Sequence, residues 1–110
     1  MSLILYGKIK MIKSIIDLQK IEKDWKSRGF SFGVWTDPPG QVWENYIHDT
    51  DEFFMVIEGI VELEMKGRKF CPPQGEEILI PANVTHSVRN LGNSTSRWLY
   101  GYGKNKKETL

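Results

Sequence analysis

Between residues 30 and 102 the chain is a succession of short aromatic and β-branched runs, each cut off by Gly, Pro or Asn. The runs lie at residues 30–36, 42–47, 52–58, 60–66, 69–71, 77–80, 85–90 and 97–102. The breaks are Asp37-Pro38-Pro39-Gly40, Glu58-Gly59, Lys66-Gly67, Pro72-Pro73-Gln74-Gly75 and Leu91-Gly92-Asn93. Glycine supplies left-handed backbone and proline removes an amide donor, so these clusters are turn signals. Many short strands at close spacing predict an all-β sandwich or barrel. Within that frame Val61, Leu63 and Met65 alternate with Glu62 and Glu64, the period of a strand with one wet face. Residues 53–57 are apolar at every position, which predicts a strand covered on both sides.

Ahead of these runs lies a different pattern. Ile15, Leu18, Ile21 and Trp25 recur at three- and four-residue spacing, predicting one amphipathic helix over 12–27. Ser14 followed by Asp17 resembles a capping box, and Arg28-Gly29 supplies the stop. The chain therefore divides into an N-terminal extension with a short helix (1–29), a β-barrel (30–103) and a basic C-terminal tail (104–110).

At 110 residues there is room for one compact domain. Fifteen basic residues nearly balance 14 acidic ones, which gives none of the basic footprint of a nucleic-acid binder. No apolar run approaches the ~18–20 residues of a membrane span. Leu3-Ile4-Leu5-Tyr6 is too short for the apolar region of a signal peptide. The single cysteine, Cys71, excludes an internal disulfide framework and any Cys-rich zinc site. A cytoplasmic setting is expected.

Two stretches interrupt the strand pattern with polar residues. The first carries Tyr46, His48 and Glu52, which share one parity and would project from one face of a continuous strand. Imidazole and carboxylate side chains brought together are ordinary ligands of zinc, iron, manganese or nickel. Asp49 and Asp51 have the opposite parity to His48 and read as solvent-facing. In the second stretch Gly75 opens a turn, Ile78 and Ile80 share a face, and Pro81 stops the ladder. Asn83 suits the left-handed turn that precedes a strand carrying His86.

Taken together the two stretches resemble the cupins. That family's first motif, a glycine, two histidines one residue apart, a glutamate and a glycine, is matched in full spacing by Gly40, Tyr46, His48, Glu52 and Gly59. Tyr46 stands where the first histidine belongs. The second motif is matched by Gly75, Pro81, Asn83, His86 and Asn90, with Asn83 replacing an inner glycine. The likeness spans roughly residues 33–102 and looks closest to small single-domain cupins of unassigned function. It implies a jelly roll of roughly six to eight strands with a metal at its open end. His48, Glu52 and His86 are the implied ligands, the two-histidine, one-carboxylate set of facial-triad sites. The chain's only two histidines both fall on ligand positions.

Tyr46 reads as a phenolate ligand, a hydrogen-bond or proton donor beside the metal, or a core aromatic. Trp35, Trp43, Phe54, Trp98, Tyr100 and Tyr102 read either as core or as walls of a ligand pocket. Arg89 and Arg97 read as surface residues or as clamps for a carboxylate. Three functional readings follow. One is a metal-dependent enzyme (dioxygenase, isomerase or lyase) acting on a small polar or aromatic organic acid. The others are a small-ligand binding or sensing module, and a structural dimer with a vestigial site. The resemblance implies a homodimer, and the apolar runs around 30–35 and 53–57 suggest burial against a second subunit.

Overall fold

The computed structural model describes residues 16–104. Among the described residues one helix, α1 (Leu18–Ser27), precedes eight strands: β1 (Gly33–Asp37), β2 (Val42–Tyr46), β3 (Glu52–Glu58), β4 (Val61–Met65), β5 (Arg68–Phe70), β6 (Ile78–Ile80), β7 (His86–Asn90) and β8 (Ser96–Tyr102). The strands form two antiparallel four-stranded sheets, ordered β1-β8-β3-β6 and β2-β7-β4-β5. The all-β architecture expected from the turn spacing, and the jelly roll implied by the family resemblance, are what the chain adopts.

The helix is shorter than its apolar periodicity predicts. Asp17 is extended (φ −81°, ψ 96°) and its carboxylate accepts a hydrogen bond from the Lys20 amide at 3.1 Å. Asp17 is thus the N-cap itself, satisfying one of the amides that a helix start leaves without an intrahelical partner. Ser14 and Ile15 lie outside the described residues, as does most of the basic tail.

Strand β3 is buried from both sides. Phe54 and Val56 point between the sheets, into a core with Val61, Leu63, Ile80 and Val88. Phe53 and Met55 point the other way and pack with Leu99 and the fully buried Trp25 of α1. The cover on that outer face therefore comes from the chain's own helix. Phe53 and Met55 are accordingly no argument for a second subunit.

Close seating of α1 depends on Gly101. A Cβ there would collide with the Ser31 carbonyl oxygen and come within 2.9 Å of the Trp25 ring. Polar contacts complete the attachment. Glu77, in the loop before β6, accepts from the Trp25 indole N–H at 3.0 Å and is bridged by the Arg28 guanidinium. Arg28 also lies 4.4 Å from the Phe53 ring centroid, within cation–π range.

The Arg28 guanidinium holds the Glu77 carboxyl below its usual range, opposed by partial burial and helped by the Trp25 N–H. A carboxyl depressed in the fold stabilises it above the unfolded pKa, and that stability is lost as pH falls through the folded value. Glu77→Ala should cost about 1–3 kcal/mol at neutral pH, because it strands a buried indole N–H. Urea unfolding should show this cost, and the gap to the parent protein should narrow as the buffer is acidified below about pH 4.

Candidate functional site

The strand register decides which residues meet at the mouth of the sandwich. Glu52 opens β3 with the parity of Phe54 and Val56, so it faces inward, and it pairs with Tyr102 at the end of β8. His86 opens β7 with the parity of Val88, and it pairs with Tyr46 at the end of β2. Glu52 and His86 thus sit on opposite sheets at the same end of the barrel, both buried.

His48 arrives differently. Strand β2 ends at Tyr46 after an irregularity at Asn45, whose φ is +57° and whose amide donates to the Ser87 hydroxyl at 2.9 Å. Residues 47–51 form a loop, so Tyr46, His48 and Glu52 do not lie along one strand and shared parity is not what unites them. The loop is held by the second motif. The Asn83 amide donates to the His48 carbonyl at 2.7 Å, and the Ala82 amide to the Asp51 carboxylate at 2.8 Å. Asn83 takes the left-handed conformation expected of it, φ +65°. Asp51 is therefore a brace between the two motifs, not simply a solvent-facing residue.

Within this frame the donor atoms of His48, Glu52 and His86 lie within 4.8 Å of one another. Glu52 Oε1 is 3.6 Å from His48 Nε2 and 3.5 Å from His86 Nε2. Metal–ligand bonds of about 2.0–2.2 Å give tetrahedral donor–donor edges of about 3.4 Å, so the spacing fits a divalent ion. Hydrogen bonding makes the same point. His86 Nδ1 is 3.0 Å from the Val84 carbonyl oxygen, which only accepts, so Nδ1 carries the proton in the neutral ring. Its Nε2 then turns a lone pair toward Glu52 Oε1, a buried oxygen that has no hydrogen-bond donor. Two lone pairs facing one another call for a cation between them, either a proton or a metal ion. Burial pulls the His86 pKa down, but the Glu52 carboxylate and the Val84 carbonyl together outweigh it and the net shift is upward.

Around these donors lies a cavity of about 350 Å³ walled by Trp35, Trp43, Tyr46, Trp98, Tyr100 and Tyr102, with Val88. Of the aromatics weighed between core and pocket, only Phe54 is wholly core, packed between the sheets. Tyr46 stands in the cavity wall, 44% exposed, with its ring 6.1 Å from Trp43. The Tyr102 hydroxyl is pushed up to about 12 by burial, by the Glu52 carboxylate and by Tyr100, and so stays protonated at neutral pH.

Arg89 and Arg97 do not line the cavity. Arg89 lies on the outer face of the second sheet, bonded to Glu44, Glu62 and Glu64 at 2.7–3.0 Å. Arg97 lies 3.9 Å from Glu58, and Cys71 is exposed.

One residue of the site was read from sequence only as part of a turn. Asp37, 2% exposed, accepts the indole N–H groups of Trp35 (2.8 Å), Trp43 (3.0 and 3.1 Å) and Trp98 (3.2 Å). Its partners come from β1, β2 and β8, so no local spacing announces the cluster.

The cupin domain family model matches residues 33–102, which contain the strands and both motifs. This chain is a cupin. Its solved relatives agree on the fold. The cupin domain of Cnp3 from Schizosaccharomyces pombe superimposes with a TM-score of 0.66 at 20% identity, over 74% of this chain and 60% of that one. This cupin thus spans less than two thirds of that domain's length. A predicted oxalate decarboxylase from Thermotoga maritima superimposes with a TM-score of 0.61 at 20% identity, over 73% of this chain and 71% of that one. Among curated proteins, the polyketide synthase CurC of Streptomyces cyaneus is 24% identical over 107 residues, covering 83% of this chain and 70% of that one. Among the described residues of this cupin, no helix is long and apolar enough to cross a membrane.

The facing lone pairs make a specific prediction. In chelator-treated protein at pH 8, Glu52→Gln should raise stability, because an amide N–H₂ replaces the stranded oxygen and can donate to His86 Nε2. The gain should be about 1–3 kcal/mol by urea unfolding, the usual cost of a buried unsatisfied polar group. An unchanged or lowered midpoint would contradict this arrangement.

Proposed function

We propose that this cupin holds one divalent metal ion through His48, Glu52 and His86 and presents it to a small molecule in the aromatic cavity. The observation that carries the reading is the buried Glu52 Oε1, aimed at two imidazole Nε2 atoms at tetrahedral spacing with no hydrogen-bond donor of its own. Two imidazoles and one carboxylate suit iron, manganese, zinc or nickel. Three protein donors leave coordination positions for a ligand, and a bound ion would supply Lewis-acid or oxygen-binding chemistry there.

The protein's own groups set what else can happen. Val84 fixes the ring of His86 through Nδ1, which keeps Nε2 directed at the metal position. Besides the three donors, the titratable residues lining the cavity are Tyr46, Tyr100 and Tyr102. Proton donation to a substrate then falls to a tyrosine hydroxyl, and Tyr46, the most open of the wall residues beside His86, is the candidate. A metal-dependent lyase, isomerase or dioxygenase fits this set, and the decarboxylase likeness points the same way. The scarcity of acid–base groups favours a second reading, in which the cavity binds or senses its ligand without turnover. A cytoplasmic homodimer belongs to the same proposal. It is supported by apolar side chains left open on the sheet-edge strands β1 and β6, Val34 (37%) and Leu79 (48%).

Elemental analysis of protein prepared without an affinity tag tests the metal centre. One equivalent per chain is expected, with His48→Ala and His86→Ala each abolishing retention. Added ion at 100-fold over its Kd should stabilise the parent by about 2.7 kcal/mol and neither variant. Protein that is metal-free and takes up no added ion would overturn the reading.

A further inference from the structure

The tryptophans of the cavity offer no hydrogen-bond donor to whatever sits among them. The N–H groups of Trp35, Trp43 and Trp98 are all committed to Asp37, so their rings meet a ligand only with π surface and C–H edges. A ligand acceptor such as a carboxylate or phosphate would find no indole donor and no cationic side chain at this end, only tyrosine hydroxyls. Among the lining residues there is also no Lys or Arg. The fixed charges are negative: Glu52 in the wall, and Asp37 at the indole edges.

Ring geometry adds shape. Trp35 meets Trp43 at 76° and Tyr100 at 77°, Trp43 meets Tyr46 at 65°, Trp98 meets Tyr100 at 66°, and Trp35 and Trp98 are tilted at 43°, so none of these pairs is parallel. A flat aromatic ligand needs parallel faces on either side. Rings at steep angles instead make a box, which suits a compact, rounded group touching several faces at once. Electron-rich faces, one carboxylate bonded to the ring N–H groups, and no competing cationic side chain together describe a cation–π receptor.

We infer that the ligand of this cavity carries a methylated onium group, a quaternary ammonium or tertiary sulfonium, seated among Trp35, Trp43, Trp98 and Tyr100. The inference deepens the ligand-cavity reading above and rests on its metal centre only for the ligand's other end, where an anionic group would face the ion. The onium end stands on the rings and Asp37 alone. Arg89 and Arg97 lie outside the cavity and cannot serve there as a clamp for a carboxylate.

The test is titration of the full chain, followed through the indole N–H resonances of its four tryptophans. Tetramethylammonium, added to metal-free protein, should move the resonances of Trp35, Trp43 and Trp98. That of Trp25, on α1 at the far side of the sheet, should stay in place. In metal-loaded protein trimethylglycine should bind at least about tenfold more tightly than 3,3-dimethylbutanoate, the same shape with carbon in place of charged nitrogen. Trp35→Leu should erase that preference, with an unmoved Trp25 resonance reporting an intact fold. The inference fails if the carbon isostere binds as well as the onium, or if tetramethylammonium moves none of the three resonances. Failure of metal uptake with tetramethylammonium binding intact would sink the metal centre and leave the onium box standing. Metal uptake with no onium preference would do the reverse.

Discussion

Strand β3 is where the demands of the fold and of the site coincide. It lies between β8 and β6 in its sheet, and neither of its faces meets water along most of its length. Alternation sends Phe54 and Val56 into the sandwich and Phe53 and Met55 beneath α1. Burying such side chains contributes about 1.5–3 kcal/mol each, so a one-residue slip of register would exchange the two sets and disrupt both cores. The same alternation makes Glu52 an inward-facing residue. A carboxylate in that position is costly unless it is paired or metallated. The strand that anchors the hydrophobic packing thereby also creates an electrostatic demand at the point where the two histidines converge.

The groups that converge there come from both sheets. His86 comes from β7, across the sandwich, and His48 from a loop that no ladder holds. What fixes the loop is backbone bonding to the β6–β7 turn: Asn83 to His48, Ala82 to Asp51, with Gly103 donating to the Asp51 carbonyl at 2.8 Å. The two motif stretches are therefore two halves of one brace. Each positions a histidine, and neither would do so alone.

How much of this is legible in the sequence depends on whether the cause is local. Strand alternation and turn chemistry are local, and the observed strands lie within a few residues of the runs that predict them. The helix is misjudged at its start because apolar spacing continues upstream, whereas the side chain of Asp17 captures an amide and sets the boundary. The donor triad is legible through motif spacing, but the parity argument for it is not sound. Parity holds only while a strand is unbroken, and this one breaks at Asn45. The amphipathic helix and the doubly apolar strand each needed a partner, and they are each other's. Read separately, the strand suggested a second subunit. Asp37 is invisible for a plainer reason: it makes sense only beside Trp98, 61 residues away, in a turn where an aspartate needs no further explanation.

The Asp37 cluster also explains how the cavity can be both aromatic and ordered. Tryptophan rings at a barrel mouth bury large area, yet each brings an N–H that must find an acceptor once shielded from water. Distributing the three N–H groups over separate acceptors would need three polar atoms inside the wall. One carboxylate with two oxygens accepts all three and ties β1, β2 and β8 together from both sheets. The rings are then fixed by their polar edges, and carbon surface is what they turn toward the cavity. The cupin fold itself does not select among chemistries. What distinguishes this mouth is that a buried histidine–carboxylate cluster stands at one end, while at the other the tryptophan N–H groups are all turned onto a single carboxylate and away from the cavity.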